Sequence, residues 1–167
     1  MKTLLISAAA ALTMTGCISV QAGDLSAPGS SISIVSNGQM NIATESRYDF
    51  YKTDKLVQAA LAERDLNVFA NVNHGQGARS VDMDIGLSKL YIFGNPKSGT
   101  PLMMENRAFG MELPMKILVH TDEDGNVMIT YTNIKLLARS YGITDQDELL
   151  TKIQSTLRDI VKEAGGA

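Results

Sequence analysis

Three observations predict an α+β fold. A stretch with helical apolar spacing runs from Phe50 to about Arg64, and a second runs from Thr144 or Asp145 to the terminal glycines. Strand-length apolar or alternating segments lie between them, and two of these flank Asp122-Glu123-Asp124-Gly125, a hairpin turn signal. The 167 residues are 44% hydrophobic and 20% charged, the composition of one ordinary globular domain with extras, which excludes a disordered or collagen-like chain. The net charge of −3 provides no basic surplus for nucleic acid, which is therefore not expected as a partner.

The elements follow in order. Asn41 to Ser46 alternates weakly and reads as a first strand. Asp49 can accept a backbone N–H as an N-cap, and Phe50, Thr53, Leu56, Val57, Ala60 and Leu61 then line one helical face. Asn67 to Asn73 reads as a strand with Val68, Ala70 and Val72 on one face and Phe69 on the other. Leu87 to Phe93 follows a glycine-punctuated stretch, and its Leu90-Tyr91-Ile92-Phe93 run suggests burial on both faces. Met115 to His120 and Asn126 to Tyr131 form the hairpin, with Gly125 supplying a positive φ. A short helix from Ile134 to Tyr141 is ended by Gly142. In the last helix Glu148 stands in a capping-box relation to Asp145, while Leu149, Leu150, Ile153, Leu157, Ile160 and Val161 face inward.

The N-terminus reads as an address. Lys2 precedes an apolar run from Thr3 to Met14 that is too short to span a bilayer, which is the form of an export signal. Two processing sites compete. Val20-Gln21-Ala22 suits cleavage before Gly23, giving residues 1–22 as signal peptide, and Met14-Thr15-Gly16-Cys17 suits lipid attachment at Cys17. The product is expected in the periplasm or secreted, or else tethered to the envelope membrane through that lipid. Residues 23–40, rich in Ser, Gly, Ala and Pro, read as a tether, and residues 41–164 as the domain. Cys17 is the only cysteine, so neither product forms an intrachain disulfide and the domain must be stable through packing.

Several local strings resemble the domain of unknown function 302 (DUF302) family. They are Val72-Asn73-His74 with Ala78; the stretch from Ile92-Phe93-Gly94-Asn95-Pro96 through Lys97-Ser98-Gly99-Thr100 to Pro101-Leu102-Met103; and Glu112-Leu113-Pro114 with Met115 to Val119, Asp124-Gly125 and Tyr131. Asn73 stands where the family usually carries aspartate. The resemblance implies a two-layer fold like that of the TATA-binding protein: an antiparallel sheet with helices packed on one face, in β-α-β-β-β-β-α order, often as a homodimer. It implies no reaction, and a fold shared with a DNA-binding protein transfers no function.

Three sets of residues could carry chemistry. Gly94 to Thr100 ends a strand, and Thr100-Pro101 reads as a helix start with Thr100 as cap. Free N–H groups there, beside Asn95, Lys97, Ser98 and Gly99, could hold a carboxylate or phosphate, although the stretch also reads as a plain strand-to-helix turn. The Gly-x-x-x-x-Gly spacing lacks the lysine of a nucleotide-binding loop after Gly99, which excludes nucleotide hydrolysis. His74 ends a strand beside Gly75, where an imidazole can face a cleft or simply bond the backbone. Met103, Met104, Met111 and Met115 offer soft sulfur ligands for envelope copper, or packing between helix and sheet. Two histidines without metal-ligand spacing argue against a zinc site, and no cofactor is implied.

The expectation is a non-catalytic exported module that binds a small molecule or an envelope protein in a cleft between His74 and the Asn95–Thr100 turn. The alternatives are an enzyme with His74 as general base and the helix start near Thr100 stabilising an anion, and copper binding by the four methionines.

Overall fold

The computed structural model describes residues 40–166. The export signal, Cys17 and the tether lie outside them. Five strands form one antiparallel sheet: β1 (Asn41–Glu45), β2 (Asn67–Asn73), β3 (Ser88–Gly94), β4 (Met115–Thr121) and β5 (Val127–Thr132), in spatial order β1-β5-β4-β3-β2. The helices are α1 (Phe50–Ala62), α2 (His74–Arg79), α3 (Pro96–Glu105), α4 (Ile134–Ser140) and α5 (Asp147–Gly165), with a 3-10 helix over Arg107–Met111. This is the α+β arrangement that the sequence predicts, an antiparallel sheet carrying its helices on one face.

The pleat decides which side is covered. Register aligns Tyr91, Ile117 and Tyr131 across the three central strands, and Phe93 with Met115 beside them. All five are buried and, with Val119 and Ile129, form the floor of the core. Above it α1 contributes Val57 and Leu61, and α5 contributes Leu150, Leu157, Ile160 and Val161. Each fully buried aliphatic side chain stabilises the fold by roughly 1.5–3 kcal/mol, enough to hold helices whose own propensity is modest. Arg64 on the α1 side and Glu163 on α5 add an ion pair, which at this exposure contributes about 0–1 kcal/mol.

Local chemistry sets the element boundaries. Asp49 caps α1 by accepting from Lys52 N at 3.0 Å. Gly125 adopts φ +85° in the hairpin turn, where Asp122 Oδ1 accepts from Asn126 N and Asp124 N. Four expectations are corrected. The last helix begins at Asp147 after Gln146, without a side-chain cap, so the Asp145–Glu148 box does not form. Helix α3 begins at Pro96, ahead of the Thr100-Pro101 pair, because Asn95 caps it and Pro101 sits inside. Strand β2 has a bulge between Val68 and Ala70: Val68 pairs with Phe93 and Ala70 with Ile92, so Val68 does not share a face with Ala70 and Val72. Burial of β3 is one-sided, with Tyr91 and Phe93 2% exposed and Leu90 and Ile92 only half-buried on the open face.

The glycine-punctuated stretch after β2 is helical. Asn73 caps α2 by accepting from Gln76 N at 2.8 Å, and Gly75 lets the turn lie against the start of β3. A Cβ at Gly75 would stand 2.5 Å from Gly86 O and 3.2 Å from Ser88 N, both backbone atoms. Gly75→Ala should therefore lower unfolding stability by about 1–3 kcal/mol, as read by urea denaturation. The neighbouring Gly77→Ala, whose Cβ would meet nothing, should not lower it.

Candidate functional site

Between β3 and β4 the chain makes a twenty-residue excursion over one end of the sheet. Helix α3 and the 3-10 helix form it, with Leu102 and Phe109 fully buried as its anchors. Asn106 caps the 3-10 helix through Ala108 N, and its Nδ2 donates to Tyr141 O at 2.8 Å. The Tyr141 hydroxyl donates to Glu112 Oε1 at 2.6 Å, and the Tyr141 ring meets Phe109 edge-on. The excursion is thus tied to the segment that follows α4. Gly99 allows the close approach of Leu113, whose Cδ1 would lie 3.1 Å from a Cβ there.

Beneath this excursion lies a cavity of about 350 Å³. Phe93 and Met115 come from the sheet, Leu102 and Met103 from α3, and Ile153 and Leu157 from α5. Phe69, the residue at the β2 bulge, stands at its edge and is 57% exposed. Asn95, Ser98, Thr100, Lys152 and Thr156 are the polar lining residues. The volume is at the lower end for sites that hold small organic molecules, and the predominantly carbon lining is typical of them.

Of the residues singled out from sequence, Asn95, Ser98, Gly99 and Thr100 line this cavity, while Lys97 is exposed and outside the lining. His74 is elsewhere. Strands β2 and β3 are antiparallel, with Asn73 opposite Lys89 and Asn67 opposite Gly94, so His74 and Asn95 leave opposite ends of the pair, on the order of 17 Å apart along the strands. His74 is not among the residues that line the cavity. The expected site shared by His74 and the Asn95–Thr100 turn is not formed, and neither is the general base with its anion-stabilising partner.

The anion cradle at the helix start is also filled by the chain itself. Asn95 Oδ1 accepts from Lys97 N at 2.9 Å, Asn95 O accepts from Ser98 N and Gly99 N, and Pro96 has no N–H to offer. Asn95 Nδ2 in turn donates to Asp65 O and Asp65 Oδ2, which puts a carboxylate beside the turn. The methionines divide: Met103 and Met115 line the cavity, whereas Met104 and Met111 are 80% and 82% exposed. The four thioethers do not form one enclosed ligand set. The second histidine, His120, bonds Thr121 O through Nδ1 and Thr130 Oγ1 through Nε2.

A separate polar cluster lies where α1 meets β3. The Tyr91 hydroxyl donates to Asp54 Oδ1, Lys89 Nζ donates to Asp54 Oδ2 at 3.0 Å, and Gln58 Nε2 reaches the same oxygen at 3.1 Å. Burial, then the neighbouring carboxylate, pushes the Tyr91 hydroxyl well above its ordinary value. With its partners satisfied, the cluster reads as a clamp between helix and sheet.

Comparison with known proteins gives the family. The chain matches the domain described as "Domain of unknown function DUF302" over residues 42–163, and it belongs to that family. A crystal structure of an uncharacterized conserved DUF302 protein from Bacillus stearothermophilus superposes with a TM-score of 0.68 at 15% identity, covering 75% of this chain and 98% of that one, a likeness of fold alone. Two curated relatives, each named "Fluoride-specific ion channel FluC 1", come from Brucella suis and Brucella abortus. Each is 32% identical over 124 residues, or 74% of this chain, and the chain spans about half of their length, 48% and 45%. Among the described residues no helix is long and apolar enough to cross a membrane.

The Tyr91 clamp sets an alkaline limit. A folded-state pKa above the unfolded value near 10 leaves stability intact below about pH 10, and stability falls as pH rises beyond it, because the unfolded chain releases the proton that the folded chain keeps. Tyr131, which burial also shifts upward, acts in the same direction. Urea denaturation from about pH 8 to about pH 11 should show this loss, with a shallower slope in Tyr91→Phe.

Proposed function

We propose that this chain is an exported, non-catalytic binding module that holds a small, largely apolar molecule under the β3–β4 excursion. The cavity between α3, α5 and the end of β3 is the observation that carries the reading: about 350 Å³ in volume, walled chiefly by carbon, with polar groups few. The 1–22 leader supports export, with release before Gly23 or lipid attachment at Cys17. A homodimer is supported by the family resemblance and by the open sheet face, where Val72, Leu90 and Leu118 align as a partly uncovered apolar row, with Ile92 beside Lys116 and Met128 beside His120.

N-phenyl-1-naphthylamine, an uncharged dye that brightens in apolar surroundings, tests the cavity. It should bind the purified protein, and Met103→Trp, which fills the cavity, should weaken binding at least about tenfold, while His74→Ala leaves it unchanged. Equal binding by the Met103→Trp protein, with its melting temperature retained, would move the ligand elsewhere. Native mass spectrometry of the protein recovered from the cell envelope tests the rest: a dimer of chains lacking the leader is expected. An intact leader would overturn export, and a monomer would overturn the dimer.

A further inference from the structure

Lys152, an exposed residue, is the one lining residue of the cavity with a charged side chain. Its position on α5 is unusual in company: Ile153 and Leu157, next to it and just over a turn further on, line the same cavity. No ion pair among the described residues engages Lys152, and Glu148, one turn earlier on the helix, makes none with it. The Thr156 hydroxyl does not serve the cavity as a donor, because it donates to Lys152 O at 2.9 Å. Asn95 is equally occupied, with both Nδ2 contacts going to Asp65. This leaves Lys152 Nζ and the hydroxyls of Ser98 and Thr100 as side-chain donors of the lining without a protein partner among the described residues. All three belong to residues with solvent access, whereas Phe93, Leu102 and Leu157 on the inner wall are buried.

We infer that the ligand is an amphiphile with one apolar body and one anionic head, the body held among Phe93, Leu102, Met103, Met115 and Leu157 and the head at Lys152 with Ser98 and Thr100. The inference rests on the cavity reading above and adds the sign of the ligand's charge. An uncharged apolar guest would use the wall and leave the ammonium hydrated, whereas an anionic head gains a charge-assisted hydrogen bond at the mouth while its body leaves water. A cationic head would meet Lys152 with like charge. Carboxylate and phosphate heads both suit a lysine, which binds as a point charge without a planar fork.

Four probes with one tail separate the outcomes: decanoate, decyl phosphate, decanol and decyltrimethylammonium, each titrated calorimetrically against the full chain below its critical micelle concentration. One or both anions should bind about five- to tenfold more tightly than decanol, the tighter anion naming the head, and the cation should bind more weakly than decanol. Lys152→Gln should bring the anions down to the affinity of decanol and leave decanol unchanged. Raising the salt concentration should erode the anion advantage in the original protein and have little effect in Lys152→Gln. Equal binding of all four would overturn the anionic head and leave the apolar site standing. No binding of any probe would overturn the cavity reading itself. An anion advantage that persists in Lys152→Gln would overturn the assignment to Lys152.

Discussion

One face of the sheet is buried and the other is not, and the rest of the molecule follows from that asymmetry. The row Tyr91, Ile117 and Tyr131, flanked by Phe93 and Met115, needs a cover, and α1 and α5 supply it side by side. At the end of β3 the chain between β3 and β4 completes the cover together with α5. It does so with short helices pinned by Leu102 and Phe109 rather than with a continuous layer, and the space left beneath them is the cavity. The binding site is therefore a product of the fold's covering problem. Leu157 belongs both to the core and to the cavity wall, so occupancy of the one is coupled to the packing of the other.

Much of the fold was legible because its signals are local. The Asp49 cap, the alternation of β4 and β5 about Gly125 and the apolar stripe of α5 each depend on a few neighbouring residues, and each recurs in the structure. The misread points depend on partners far along the chain. Thr100-Pro101 carries the chemistry of a helix start, yet Asn95 caps α3 earlier, held in place by Asp65 from the other side of β2. The bulge at Val68 and Ala70 reverses a face that simple alternation assigns, and only pairing with β3 reveals it. The glycine-punctuated stretch after β2 is assigned no element from sequence, and its helix α2 lies close against Gly86 and Ser88.

The candidate site was legible by half. The turn from Asn95 to Thr100 stood out because glycine, proline and hydroxyl residues cluster there, and all of its residues but Lys97 line the cavity. The chemistry assigned to it did not follow, since its amide hydrogens are taken up within the turn. His74 looked eligible by residue type and neighbours alone, which say nothing about the antiparallel pairing that separates it from the turn. The residues that were missed, Lys152, Ile153 and Phe69, left faint traces: a lysine beside the inward stripe of α5, and an aromatic residue in an edge strand.

The central claim is that the space under the β3–β4 excursion is where a ligand enters. Methyl NMR spectra recorded during titration with decanoate address it most directly, because methyl-bearing residues report from both sides of the sheet. The account predicts shifts concentrated at Met103, Leu113, Met115 and Ile153, with Ile92, Leu118 and Met128 on the open face unmoved. Shifts confined to the open-face residues would contradict it.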